Sequence, residues 1–236
     1  MHEVQNAECL ICKEPLTYLE TAEQMTCVLC GKVESSNCRC VNGHYVCSEC
    51  HMSGMDSFLG VCLNDPSRNP IEILQKLMHL PFCHMHGPEH HILVGASLLT
   101  AFKNAGGAID LRKALIEMQS RGRQVPGGIC GLWGSCGAAV STGICISILT
   151  GSSPLSTETW GWCNEMTSRA LAREAAIGGP RCCKRNSQIS ILEAIDFIGE
   201  KFGVTLEKPE KIVCGWFLQN NQCIAERCPF YPGASK

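Results

Sequence analysis

Close cysteine pairs fill the start of the chain: Cys9 and Cys12, Cys27 and Cys30, Cys38 and Cys40 followed by His44, then Cys47 and Cys50. A two-residue gap makes a knuckle turn that aims both sulfurs at one tetrahedral ion. Two knuckles complete a site, with Zn–S bonds of about 2.3 Å. These pairs suffice for two zinc sites. Sequential pairing joins Cys9, Cys12, Cys27 and Cys30, and leaves Cys38 or His44 with Cys40, Cys47 and Cys50. Interleaved pairing, as in a cross-brace, is the alternative. The segment has almost no apolar core, so bound metal would replace one. Recognition of a partner, or redox iron in one site, are the other roles open to it.

A second cluster is CHMHGPEHH, Cys83–His91. His86, Glu89 and His90 are its expected metal ligands or acid–base groups. The run formally contains H-x-x-E-H, which zinc proteases place on one continuous helix. Gly87-Pro88 puts His86 ahead of the helix, so a protease site is rejected. Pro88 suits the first helical position, and Glu89 complements the dipole in the first turn.

Two further stretches carry thiols. Gly127–Gly151, GGICGLWGSCGAAVSTGICISILTG, holds no charge. Cys136 stands at the start of a helix, where free N–H groups lower a thiol's pKa. Cys130 is its expected loop partner, close enough to share a metal. Cys145, inside the helix, reads as core, as do Cys62 and Cys163. GGPRCCKRN sets Cys182 and Cys183 beside Arg181, Lys184 and Arg185. Thiols among cations near a helix start should have depressed pKa values, which makes Cys136 and Cys183 candidate catalytic groups. Arg181, Lys184 and Arg185 would hold the carboxylate or phosphate of a small anionic substrate. A vicinal disulfide there would be strained. In the tail, Cys214, Cys223 and Cys228-Pro229 suit iron–sulfur ligation, with Cys182 or Cys183 as fourth ligand. A zinc clasp of three cysteines and a histidine is the alternative.

These groups need a helical frame. Apolar periodicity and punctuation predict helices from Pro70 to about His79, from Pro88 to the stop at Gly106-Gly107, and over Ile109–Arg121. Further helices are expected over Gly137–Thr150, Thr157–Ala176 and, capped by Asn186, Ser187–Phe202. The expected fold is mainly α, with a small zinc-ribbon or treble-clef-like module at its start. The expected division is a cysteine-rich zinc-binding module at 1–52, a helical bridge at 53–80, a helical domain at 81–206 and a cysteine-rich tail at 207–236.

A chain of 236 residues, 45% hydrophobic and 18% charged, is globular rather than disordered. A net charge of -2 argues against nucleic acid as a partner. MHEVQNAECLICKEPL shows neither a basic nor an apolar leader segment. With nineteen cysteines, the N-terminal ones in close pairs of metal-ligand spacing, a reducing cytoplasm is expected, and most easily that of an anaerobe. The one membrane candidate is the uncharged stretch, and its helical part is shorter than the ~20 residues a span needs. No membrane partner is expected.

The knuckles ending GHYVCSECH, then HGPEHH, G-x5-CGAA, GGPRCCKR and the cysteine-rich tail resemble an uncharacterised domain family of anaerobic bacteria and archaea. Its members occur alone or joined to class I methyltransferase-like domains. The resemblance covers nearly the whole chain and implies no set activity, though it makes a methyltransferase or other protein a conceivable partner. No methyltransferase region is visible here. CGAAVSTG is also similar to a motif of small helical cysteine-rich proteins with redox or metal roles. Two functions follow. One is a redox or sulfur-related enzyme or accessory protein, holding zinc and an iron–sulfur cluster beside a thiol/histidine pocket. The other is a non-catalytic zinc module that binds a protein partner, its cysteines structural.

Overall fold

The computed structural model describes residues 9–233. Strands β1 (Leu16–Thr26) and β2 (Val33–Cys40) form an antiparallel hairpin, with a register break between Tyr18 and Glu23. The chain turns at its ends through tight loops: Gly31 N donates to Cys27 O at 2.9 Å, and Cys40 N donates to His44 O at 2.8 Å. Between Cys9 and Cys50, Met25 is the one buried side chain that is not a cysteine. The hairpin therefore has no hydrophobic core of its own, and something other than apolar burial must hold it. Helix α1 (Ser48–His51) ends this part.

Helices α2 (Ser57–Asn64), α3 (Pro70–Met78), α4 (His90–Asn104) and α5 (Leu111–Gly122) follow. After the single turn α6 (Ile129–Leu132) come α7 (Gly137–Thr150), α8 (Glu158–Ile177) and α9 (Cys183–Phe202). The chain is mainly α. Helix α4 lies at the centre, and every residue from His90 to Phe102 is buried. A helix apolar all round must be enclosed, and α2, α3, α5, α7 and α9 enclose it. Ile71, Leu74 and Leu77 face it from α3, and Leu115 and Met118 from α5. On the α8 side, α7 packs through small residues. Asn69 caps α3 by accepting from Ile71 N at 3.0 Å, and Asp110 caps α5 by accepting from Lys113 N at 3.1 Å. Past α9 the tail folds back through two 3₁₀ turns, burying Ile212, Trp216, Ile224 and Phe230 against the core.

Helix α7 has the bounds its sequence predicts. Helix α9 differs: it begins four residues before the predicted Ser187. Its cap is Cys182, whose Sγ accepts from Arg185 N at 3.4 Å, and Asn186 lies inside the helix. Among the described residues no helix is long and apolar enough to cross a membrane. Cys62 and Cys145 are fully buried, and Cys163 packs against the core.

Candidate functional site

Two quartets gather in the N-terminal module. Cys9, Cys12, Cys40 and His44 form one, and Cys27, Cys30, Cys47 and Cys50 the other. The pairing is interleaved, so the sequential alternative is excluded. Cys12 Sγ lies 3.4 Å from Cys40 Sγ and 3.3 Å from His44 Nδ1, and Cys30 Sγ lies 3.7 Å from Cys47 Sγ. Ligands at about 2.3 Å around a tetrahedral ion stand about 3.8 Å apart, so both quartets fit zinc. Backbone N–H groups support the sulfurs: Asn42 N donates to Cys40 and Cys47 N to Cys27. A backbone hydrogen bond near Glu14 lowers the Cys12 thiol to about 6. Burial works against Cys27, yet N–H donors bring it down to about 6 as well. Cys38 belongs to neither quartet. It pairs opposite Tyr18 in the ladder and lines the pocket beside the module.

Between this module and the helices lies a pocket of about 520 Å³. The module contributes Tyr18, Cys38, Tyr45 and His51, and the helical part contributes His84, His86, His90, His91, Cys130, Cys136, Arg181 and Cys183. Burial, with the Arg181 charge beside it, pulls His86 down to about 4. His90 Nδ1 donates to Gly87 O at 3.0 Å, leaving Nε2 3.7 Å from Cys83 Sγ. Burial and then the Lys184 charge pull His90 to about 3, so its imidazole is neutral. Glu89 is completely buried beside them. It accepts His84 N–H at 2.9 Å. Burial alone would raise its pKa, but His51 and His84 at its oxygens hold it well below the usual carboxylate range.

His91 Nδ1 donates to Val125 O at 3.0 Å, which locks its ring. A Cβ on Gly137 would stand 2.2 Å from that ring. Gly137→Ala is therefore expected to cost about 1–3 kcal/mol by overpacking. Gly161→Ala, at an open position of α8, should be neutral or gain up to about 1 kcal/mol. Thermal unfolding of the two variants checks this.

The thiols behave otherwise than their positions predict. Cys136 does sit at the start of α7, with φ −71 and ψ 129. Burial and the nearby Glu174 nevertheless push it up, although Asn186 Nδ2 donates to its sulfur at 3.4 Å. Burial also pushes Cys183 up to about 12 and raises Cys182. Desolvation outweighs the helix N-terminus and the neighbouring cations, so without a bound metal burial favours the protonated form of these thiols. Cys130 lines the pocket with Cys136, but the two join no common ligand group.

Of the predicted cations, only Arg181 lines the pocket, with its guanidinium 5.6 Å from the centre of the Tyr18 ring. The early start of α9 turns the other two inward. Arg185 donates to Gly178 O at 2.9 Å and Pro180 O at 3.0 Å, bracing the loop instead of meeting a substrate. Lys184 is 1% exposed and donates to Cys83 Sγ at 3.1 Å, with its ammonium 5.2 Å from the Trp216 ring centre.

Behind the pocket lies a smaller cavity of about 20 Å³. Cys182, Cys214, Cys223 and Cys228 all line it, among Trp216, Phe217, Ile224, Phe230 and Tyr231. Asn220 Nδ2 and Arg185 N donate to Cys182 Sγ, and Trp216 N donates to Cys214 Sγ, each at 3.4 Å. Each quartet of the module has its ligand atoms within 4.8 Å of one another, and these four sulfurs form no such group. Cys183 faces the large pocket and Cys182 the small cavity, and Met85 and Asn220 line both.

The sequence profile of a family of unknown function, DUF5714, matches residues 58–231. The chain belongs to this family. No curated protein and no solved structure matches it. The DUF5714 region starts inside α2, so both quartets and His51 lie outside it, while HGPEHH, the thiol stretches and the tail lie within.

Two features of the site escape the sequence. His51 meets Glu89 although the two are distant in the chain, and its one signal is adjacency to the ligand-type Cys50, while His84 lies in the CHMHGPEHH cluster but outside its expected ligand set. The contact between Cys83 and Lys184 joins two motifs and has no local signal.

Proposed function

We propose that the protein is a cytoplasmic redox metalloprotein with structural zinc in both quartets and an iron–sulfur cluster held by Cys182, Cys214, Cys223 and Cys228. The observation that carries this reading is the convergence of those four cysteines on one cavity. Their sulfurs do not gather within 4.8 Å of one another as the ligands of each quartet do. N–H donors to Cys182 and Cys214 are the usual support for metal thiolates, and the aromatic lining keeps water away. Cys182, Cys214, Cys223 and Cys228 would hold the cluster, which would supply one-electron chemistry beside the pocket, with a reduced electron-carrier protein as the external donor.

The charges on the pocket wall support a substrate class. Lys13, Arg39 and Arg181 line the pocket, Arg39 being paired with Glu23, and among the described residues the one carboxylate on its wall, Glu34, is engaged by Tyr45 and Lys32. A small anionic substrate suits that balance. Arg181 would anchor it, and neutral His86 would hold or accept a proton. On the family resemblance, a methyltransferase is the proposed protein partner.

The test is electron paramagnetic resonance of protein purified without oxygen and reduced with dithionite. A cluster signal is expected in the wild type and in Cys163→Ala, and its loss in Cys182→Ala and Cys223→Ala. A chain that contains zinc alone and gives no such signal would favour the non-catalytic zinc module instead.

A further inference from the structure

The histidines around Glu89 carry an inference separate from the quartets and the four-cysteine cavity. His51 Nδ1 lies 3.2 Å from Glu89 Oε2, and His84 Nδ1 lies 3.5 Å from Glu89 Oε1. The two imidazoles meet edge to face, with centroids 4.5 Å apart and planes at 67°. Nitrogen and oxygen ligands bound at about 2.0–2.2 Å to one divalent ion stand about 3.0–3.5 Å apart. The spacing around Glu89 is that of a shared ion.

A second observation points the same way. His51 Nδ1, His84 Nδ1 and Glu89 Oε2 are all buried, and beyond the close approaches of this group to one another none of them has a hydrogen-bond partner. Buried polar atoms are rarely left so. Here three of them face one another, two being potential lone-pair donors and the third a carboxylate oxygen. A cation between them satisfies all three. The backbone also makes room: a Cβ on Gly87 would lie 2.2 Å from Glu89 Oε2 and 2.3 Å from His51 Cε1, so no larger residue fits under the group.

We propose that His51, His84 and Glu89 bind one divalent first-row transition-metal ion. Two histidines and a carboxylate suit zinc or ferrous iron. Three protein ligands leave coordination positions open, and His51 and His84 both line the large pocket. The open positions face the space where an anionic ligand would sit. Glu89 also approaches Cys83 and His90. That side is closed to a second ion, because the Lys184 ammonium already lies 3.1 Å from Cys83 Sγ. The ion would tie the N-terminal module, through His51, to the helical part.

The test uses cobalt(II) as a visible probe, added to the full chain with its zinc quartets loaded. The wild type is expected to take up one more cobalt per chain than His51→Ala or His84→Ala, with a visible band the variants lack. Both histidine side chains are partly exposed, 18% and 32%, so both variants should keep the wild-type circular dichroism and thermal transition. Cys223→Ala should retain the cobalt band, which separates this site from the cluster. Equal cobalt uptake by the wild type and both histidine variants would overturn the proposal. So would the absence of any extra cobalt in the wild type.

Discussion

Cys47→Ser is expected to unfold residues 9–50 and to release both zincs of the module, while the helical domain keeps its fold. Cys47 is completely buried and belongs to the quartet with Cys27, Cys30 and Cys50. The segment buries almost nothing apolar besides Met25, so on the proposed reading metal binding would be its folding energy. Structural zinc supplies about 10–16 kcal/mol in small domains, and a serine hydroxyl is a poor substitute for a thiolate. The ligands also hold the chain crossings: Cys27 and Cys30 sit in the hairpin turn, while Cys47 and Cys50 bracket the start of α1. Hydrogen exchange should show lost protection across β1 and β2 and unchanged protection in α4. Retained protection in β1 and β2 with undiminished zinc would remove the metal-for-core account of this module.

Cys83→Ala should cost about 3–5 kcal/mol, far more than the loss of one small side chain, because it strands a buried charge. Lys184 is 1% exposed, and the acceptor for its ammonium among the described residues is Cys83 Sγ. Burial pushes the Cys83 thiol up to about 11 while Lys184 pulls against it, so the two groups are energetically linked. The Trp216 ring offers the ammonium a face but no hydrogen bond. Lys184→Met fills the same space without a charge and should cost less. The double variant should be close to Lys184→Met alone. A double-mutant cycle by denaturant unfolding reads the coupling directly. Additive costs would mean that the ammonium has other support.

The legible parts of this chain are those written in local pattern. Helix α7 could be bounded from Gly134-Ser135 and Gly151, since small residues and a left-handed glycine punctuate it. Helix α4 was visible as an apolar run after Pro88, and the knuckle spacings announced metal. Burial was not legible. Cys136 and Cys183 stand where helix ends and cations favour thiolates, but their desolvation, which no local motif encodes, outweighs both. The start of α9 departs from its sequence signal for a related reason. Asn186 is the better cap by propensity, yet burying Lys184 against Cys83 and turning Arg185 onto the 178–180 loop extends the helix back to Cys183. The hairpin was hidden because ligand cysteines, not alternating apolar residues, define it. The group around Glu89 draws on α1, the 83–87 turn and the residue before α4, so only the folded chain brings it together.

The central claim is that four cysteines behind the pocket hold an iron–sulfur cluster beside two structural zinc sites. The most direct test is the metal and acid-labile sulfide content of the wild-type chain purified without oxygen. The account predicts about two zincs in the quartets, with about four irons and about four sulfides per chain for a cubane cluster. Zinc as the sole metal, with no sulfide, would contradict it.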